Sequence, residues 1–169
     1  GEPRLRGAVV EKLARDNGLA YDPATEILVT TGATFGIYAA LTTLLKDGDE
    51  GLLPDPVYDA YQSPIVLAGG RARAVLAPIV DGRFVLSAEA LEASLTPRSR
   101  MLLLNTPWNP VGTVFREEEL QAIADFVIRH DLILVSDEIY EAIVYDGHRH
   151  RSPATLSSEL RNRTVLVNS

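Results

Sequence analysis

The sequence predicts an α/β fold of three layers, a largely parallel sheet with helices on both faces. Three observations carry that expectation. Apolar runs of strand length alternate along the chain with segments of helical period. Several runs, such as "MLLL" and "LILV", are uniformly apolar, as strands covered on both faces are. Gly, Pro, Asn and Asp punctuate nearly every junction between one element and the next.

The elements follow in order. "PRLRGAVVEKLARDNG" places Leu5, Val9 and Leu13 on one helical face, with Gly18 as a C-terminal cap. "EILVTTGAT" reads as a short buried strand entering a Gly turn. "TFGIYAALTTLLKDGD" is a helix with Ile37, Leu41, Leu44 and Leu45 on one side, stopped by Asp47-Gly48. "EGLLPDP" is a brief strand halted by two prolines, and "VYDAYQSPIVLAGG" is partly helical and ends at Gly69-Gly70. "RARAVLAPI" alternates charged and apolar residues, a strand with one wet face or an edge. "VDGRFVLSAEALEASL" holds a turn, a short strand and a helix opened by Ser87 as N-cap. "SRMLLLN" is a strand, "TPWNPVGTVF" a loop and "REEELQAIADFVIRH" a long amphipathic helix. Acids crowd that helix's first turn and Arg129-His130 its last, which suits the helix dipole. "DLILVSDEIYEAIVY" starts as a buried strand, and "RTVLVNS" is one more.

Composition limits the function classes. The chain has 169 residues, enough for one domain with a real core, and is 46% hydrophobic and 23% charged. A net charge of −7 argues against nucleic acid or an anionic membrane surface as partner. There are no cysteines, so neither disulfides nor thiolate metal sites arise. No apolar run approaches the ~20 residues of a membrane-spanning helix, and "GEPRLRGAVVEK" does not read as a signal peptide. The cytoplasm is the default expectation. Of 16 Lys and Arg residues only Lys12 and Lys46 are lysines.

In sheets of this kind ligands bind beyond the carboxyl ends of the strands, so the residues just past each run matter most. "TTGATFG" (30–36) puts a Gly turn at a helix start, where free N–H groups and the dipole favour an anion; a capped helix after a tight turn is the plainer explanation. "LILVSDEIY" (132–140) resembles the acidic strand of a P-loop ATPase, but neither lysine sits in the Gly-rich loop that such a site needs. Asp137 instead suits a positively charged ligand nitrogen, with Tyr140 reaching a nearby oxygen; a helix cap or a surface acid pair is the alternative. "NTPWNPVG" (105–112) is the most specific segment. Pro107, Pro110 and Gly112 stiffen a loop that would hold asparagine side chains in one orientation. In "PDPVYDAY" (54–61) Tyr58 and Tyr61 follow a short strand; one could stack on a planar ligand, while core packing suits the other. "GHRH" (147–150) reads as a solvated polar turn rather than a metal site.

Together these segments resemble the large domain of the class I/II aminotransferases, enzymes of fold type I that use pyridoxal 5′-phosphate (PLP). Asn105, Pro107, Asn109, Pro110 and Gly112 meet the family pattern N-x-P-x-N-P-[TS]-G. "SDEIY", "GAT", "P-x-Y-x-x-Y" and the opening "GEPRLR" also match family segments, in order and over the whole chain. The resemblance implies that Asn109 and Tyr140 hydrogen-bond the phenolic oxygen of the cofactor ring. It implies that Asp137 pairs with the pyridine nitrogen and keeps it protonated, so that the ring can accept electrons from a substrate carbanion. Tyr58 would stack on the ring face. Ala33 and Thr34 would offer N–H groups to the phosphate, and Ser169 would be the first serine of an S-x-S-K segment, a further phosphate ligand.

The sequence also departs from the family. The lysine that forms the Schiff base should lie three residues beyond Ser169, and Lys12 and Lys46 match nothing catalytic. The expected organisation of residues 1–169 is a partial PLP-binding large domain without the N-terminal arm, the Schiff-base lysine segment and the small domain. Val111 stands where the family has Thr or Ser. The implied function is that of a piece of an aminotransferase, homodimeric as a whole, which moves an amino group from an amino acid to a 2-oxo acid. This chain alone should not transaminate. A PLP-dependent carbon–sulfur lyase, or the sensor domain of an aminotransferase-like transcription regulator, would share the same segments.

Overall fold

The computed structural model describes residues 1–169. Helix α1 spans Pro3–Asn17 and ends at Gly18, whose φ of 67° provides the left-handed cap. Helix α2 covers Ala33–Leu44. Strand β1 (Glu50–Asp55) leads through a short 3₁₀ turn at Asp59–Tyr61 into α3 (Gln62–Leu67) and then β2 (Arg71–Leu76). A small hairpin, β3 (Ile79–Val80) and β4 (Arg83–Phe84), turns on Asp81-Gly82, both at positive φ as a two-residue loop requires. Helix α4 (Ala88–Ser94) is capped by Ser87, whose hydroxyl accepts the N–H of Ala90 at 3.2 Å. Strand β5 (Ser99–Asn105), helix α5 (Glu117–Arg129), strand β6 (Ile133–Asp137), helix α6 (Ser158–Arg161) and strand β7 (Thr164–Val167) complete the chain.

Five strands form one sheet in the order β2-β1-β5-β6-β7, and every pairing in it is parallel. Side-chain alternation divides the core into the two faces expected of three layers. Leu52, Leu102, Leu104 and Leu134 point to one face and pack with Leu91 of α4, with Ile123 and Phe126 of α5 and with Leu160 of α6. Leu53, Met101, Leu103 and Val135 point to the other, against Ile37 and Leu41 of α2 and Ile65 of α3. A third, smaller cluster joins Leu13 of α1 to Leu19 and Ala154.

Two expectations are corrected. Residues 26–30 do not form a strand. A strand needs a hydrogen-bonded neighbour, and this segment runs beside β7 across a groove of about 580 Å³ without pairing to it. Leu28 is accordingly 74% exposed instead of buried. Pro54 does not halt β1 but lies inside it. The strand pairs with β5 only from Glu50 to Leu52, so by Pro54 no partner on that side needs the N–H that proline lacks. The alternating strand β2 is the sheet's edge, as its charged face suggests.

A buried strand and this unpaired segment should respond differently to substitution. Leu104, fully buried, should lose about 2–5 kcal/mol as Leu104→Ala. Leu28→Ser at the exposed segment should lose no more than about 0.5 kcal/mol. Urea unfolding followed by circular dichroism measures both.

Candidate functional site

Parallel register lines up the chemistry. Asn105 on β5 pairs with Asp137 on β6, and Asp137 with Val167 on β7, so three strand ends open at one level. Helix α2 packs on β6, β7 and the Asp59–Tyr61 turn, which brings its N-terminus to the same end of the sheet. Gly36 in its first turn allows this approach: a Cβ there would meet the Thr30 hydroxyl at 3.3 Å and Val167 at 3.7 Å. The helix begins at Gly32 (φ 86°) without a side-chain cap, so its first N–H groups, those of Ala33 and Thr34 among them, have no side-chain acceptor.

Asp137 lies at the centre and is only 4% exposed. Its Oδ2 accepts the Tyr61 hydroxyl at 2.6 Å, and Oδ1 accepts the N–H of Ile139 at 3.3 Å. Burial drives its carboxyl above the ordinary aspartate range. The hydrogen bonds from Tyr61 and Ile139 oppose that shift, and the neighbouring charge of Glu138 adds to it. Burial likewise raises the Tyr61 phenol, and the adjacent Asp137 raises it further.

The Pro-rich loop is stapled to this strand end. The Asn105 amide donates to the Asp137 carbonyl at 3.0 Å, and its Oδ1 accepts the N–H of Asn109 at 2.6 Å. The Thr106 N–H donates to the same Asp137 carbonyl at 2.9 Å. Trp108, 3% exposed, stacks on Phe115 at 5.7 Å and donates from Nε1 to the Pro56 carbonyl at 2.9 Å, which ties this loop to the one that carries Tyr58. Gly112 (φ 72°) closes the loop through its N–H to the Trp108 carbonyl at 2.7 Å. The two asparagines therefore divide the work: Asn105 holds the loop, while the Asn109 amide reaches the Tyr140 hydroxyl at 3.5 Å. Tyr58 and Tyr61 meet edge to face at 5.3 Å.

The whole chain matches the family model described as "Aminotransferase class I and II", over residues 1–169. The chain belongs to the class I and II aminotransferases. It is 42% identical to aromatic-amino-acid aminotransferase 2 of Thermococcus litoralis over 164 residues, 97% of this chain and 42% of that protein. It is 38% identical to the aspartate aminotransferase of Geobacillus stearothermophilus, with 99% of this chain and 42% of that protein covered. The solved structure of N-succinyldiaminopimelate aminotransferase from Mycobacterium tuberculosis superposes with a TM-score of 0.97 at 39% identity, covering 100% of this chain and 44% of that one. The chain thus spans less than half the length of these relatives.

The aminotransferase segments meet at one sheet end, though not all of them touch. Asp137, Asn109, Tyr140 and Tyr58 cluster through the contacts above. Ala33, Thr34 and Ser169 share that end by topology, and no hydrogen bond joins them to the Asp137 group. Ser169 is exposed, and its N–H donates to the Asn168 side chain at 2.8 Å. A wide groove of about 760 Å³ opens beyond Asn109 and Tyr140, walled by Phe84, Val111, Ile143 and Tyr145; neither Asp137 nor Tyr58 lines it. The "GHRH" turn is only half solvated: His148 is exposed, but the His150 side chain is 6% exposed and lies 2.8 Å from Glu138, which outweighs its polar sequence context. Sequence reasoning missed Tyr61 as a partner of Asp137. The signal lay in the three-residue spacing of the two tyrosines, since the turn between them sends one ring outward and the other in.

The raised carboxyl of Asp137 gives a pH dependence with a definite sign. Between the unfolded and folded values the native state binds more protons, so stability falls as pH rises through that window. Asp137→Asn should flatten this fall in urea midpoints measured against pH. Tyr61→Phe should raise the Asp137 carboxyl further, read by carboxyl-carbon NMR titration.

Proposed function

We propose that this chain is the cofactor-binding part of a PLP-dependent aminotransferase, which moves an amino group from an amino acid to a 2-oxo acid. The observation that carries the proposal is Asp137: a buried carboxylate at the end of a parallel strand, flanked by Asn109 and Tyr140 on one side and by the tyrosine pair on the other. The residues present fit the group. Asp137 retains acceptor capacity for a protonated ring nitrogen. Asn109 and Tyr140 together present polar atoms suited to a phenolic oxygen. Tyr58 is 39% exposed and offers a ring face, and the uncapped N-terminus of α2, with the Ser169 hydroxyl, suits a phosphate.

In this reading PLP, when bound, supplies an electron sink for the bonds broken at the substrate's amino-bearing carbon. Asp137 keeps the ring nitrogen protonated. Asn109 and Tyr140 orient the ring and stabilise charge on its phenolic oxygen, and Tyr58 limits its tilt. Neither lysine of the chain moves a proton at the site. Lys12 lies on α1 and pairs with Glu141, and Lys46 is exposed beyond α2. The lysine expected beyond Ser169 would supply that step.

The relatives' names differ in substrate at similar identity, so amino transfer is what they share. We assign the whole protein to a homodimer, in keeping with the exposed aromatic pair Phe35 and Tyr38, 5.8 Å apart on α2. No helix is long and apolar enough to cross a membrane; the cytoplasm is the proposed location. In the full-length protein Asp137→Ala should lower kcat by on the order of 100-fold or more while leaving the fold intact by circular dichroism. Near-normal turnover would remove Asp137 from this role, and pyruvate and ammonia released from cysteine would favour a carbon–sulfur lyase.

A further inference from the structure

Behind the ligand-facing end of β6 lies a second polar cluster, which the proposed function leaves unused. Glu138 is 0% exposed. Its Oε1 accepts the hydroxyls of Ser136 and Ser152, each at 2.8 Å, and its Oε2 lies 2.8 Å from His150 Nε2. Glu141 accepts the Asn17 amide at 2.7 Å and pairs with the Lys12 ammonium. Lys12 Nζ also donates to the Asn17 side-chain Oδ1 at 2.9 Å. Glu138, Glu141 and His150 could place three ligand atoms within 4.8 Å of one another. The cluster is complete without an ion, because Lys12 already provides the positive charge and each carboxylate has donors.

The geometry of the turn gives this cluster a purpose. Glu138 N–H donates to the Val167 carbonyl at 2.8 Å, and Glu141 N–H to the Glu138 carbonyl at 3.0 Å. Along this turn the polar side chains divide between two directions. Asp137 reaches Tyr61 and Tyr140 reaches Asn109, while Glu138 and Glu141 reach back to His150 and Lys12. Each backward acid is therefore one residue from a forward group. The Tyr140 hydroxyl makes a single hydrogen bond, 3.5 Å long, so its place is set by the backbone that carries it. That backbone is held on its far side by a helix 129 residues earlier in the chain.

We propose that Lys12 and Glu141 are positioning residues, whose ion pair between α1 and the turn after β6 sets where the Tyr140 hydroxyl stands relative to Asn109. The proposal rests on the assignment of Tyr140 to the cofactor's phenolic oxygen. The side chains of the pair are 31% and 15% exposed, so water weakens the pair without removing it. Burial raises the Glu141 carboxyl, and its bonds to Lys12 and Asn17 outweigh that and hold it below the usual glutamate value. The pair is therefore made at neutral pH.

The test uses the full-length holoprotein and reads the pH midpoint of the bound cofactor's absorbance. Tyr140→Phe should move that midpoint by about half a unit to one unit, the scale of one hydrogen bond. Lys12→Met should move it in the same direction by a smaller amount, and Lys12→Arg should restore it. The double variant Lys12→Met/Tyr140→Phe should move it no further than Tyr140→Phe alone, which is the coupling expected when one residue acts through the other. A purely structural pair would lower Tm and leave the midpoint in place, and additive shifts would mean that Lys12 acts by another route; either overturns the proposal. Glu141→Gln serves as the second variant if Lys12→Met yields too little protein.

A cofactor-free measurement separates the ion-pair latch from the cofactor assignment. In the full-length protein without cofactor, amide exchange at Glu141 and Ile143 should quicken in Lys12→Met while β5 stays protected. Unchanged exchange would overturn the latch itself. Faster exchange with a midpoint that ignores Tyr140→Phe would instead sink the cofactor assignment of Tyr140.

Discussion

A carboxylate kept almost out of water constrains nearly everything around it. Asp137 ends β6 with little solvent, so the surrounding chain must supply donors or leave room for a charged partner. Tyr61 supplies one strong donor, and the staple from Asn105 fixes the backbone carbonyl of the same residue. The Pro-rich loop, the tyrosine turn and the start of α2 all converge on this strand end. They do so because parallel strands of matched register terminate together. The irregular segments are thus held by the regular ones, and the site inherits the rigidity of the sheet.

How much of this is legible before folding depends on the range of the interaction. The Asn-Pro loop, the Asp-Glu pair and the helix start after Gly32 are local patterns, and local chemistry announces them. The buried strands announce themselves by uniform apolarity, and so does the separation of Leu102 and Leu104 from Met101 and Leu103 once a strand is assumed. Residues 26–30 misled because "EILVT" has strand composition, and composition is silent about whether a neighbouring edge is within reach. His150 misled for a related reason: its neighbours in sequence are polar, yet its neighbour in space is Glu138. The partnership of Lys12 with Glu141 crosses 129 positions and leaves no mark on either local sequence.

Burial of Asp137 carries a stability penalty that a purely structural residue would avoid. Its carboxyl is raised, so the ionised form weakens the fold above the ordinary aspartate range. Penalties of that kind concentrate where a group is held ready for a ligand, since a partner that arrives later can relieve them. Tyr61 moderates the penalty without removing it.

The adjacent acids Asp137 and Glu138 differ in how far the protein itself satisfies them. Both are buried, and each carboxylate has about four lone-pair positions to satisfy. Glu138 accepts from two serines and meets a histidine, all at 2.8 Å, so its demand is met from within the protein. Asp137 has one short bond from Tyr61 and one long bond of 3.3 Å, which leaves Oδ1 under-satisfied. An acid that is fully bonded within the protein gains little from a cation. An acid with spare acceptor capacity at the mouth of a parallel sheet gains much. Hydrogen-bond satisfaction, rather than burial or sequence position, separates Asp137, which keeps acceptor capacity, from Glu138, which does not.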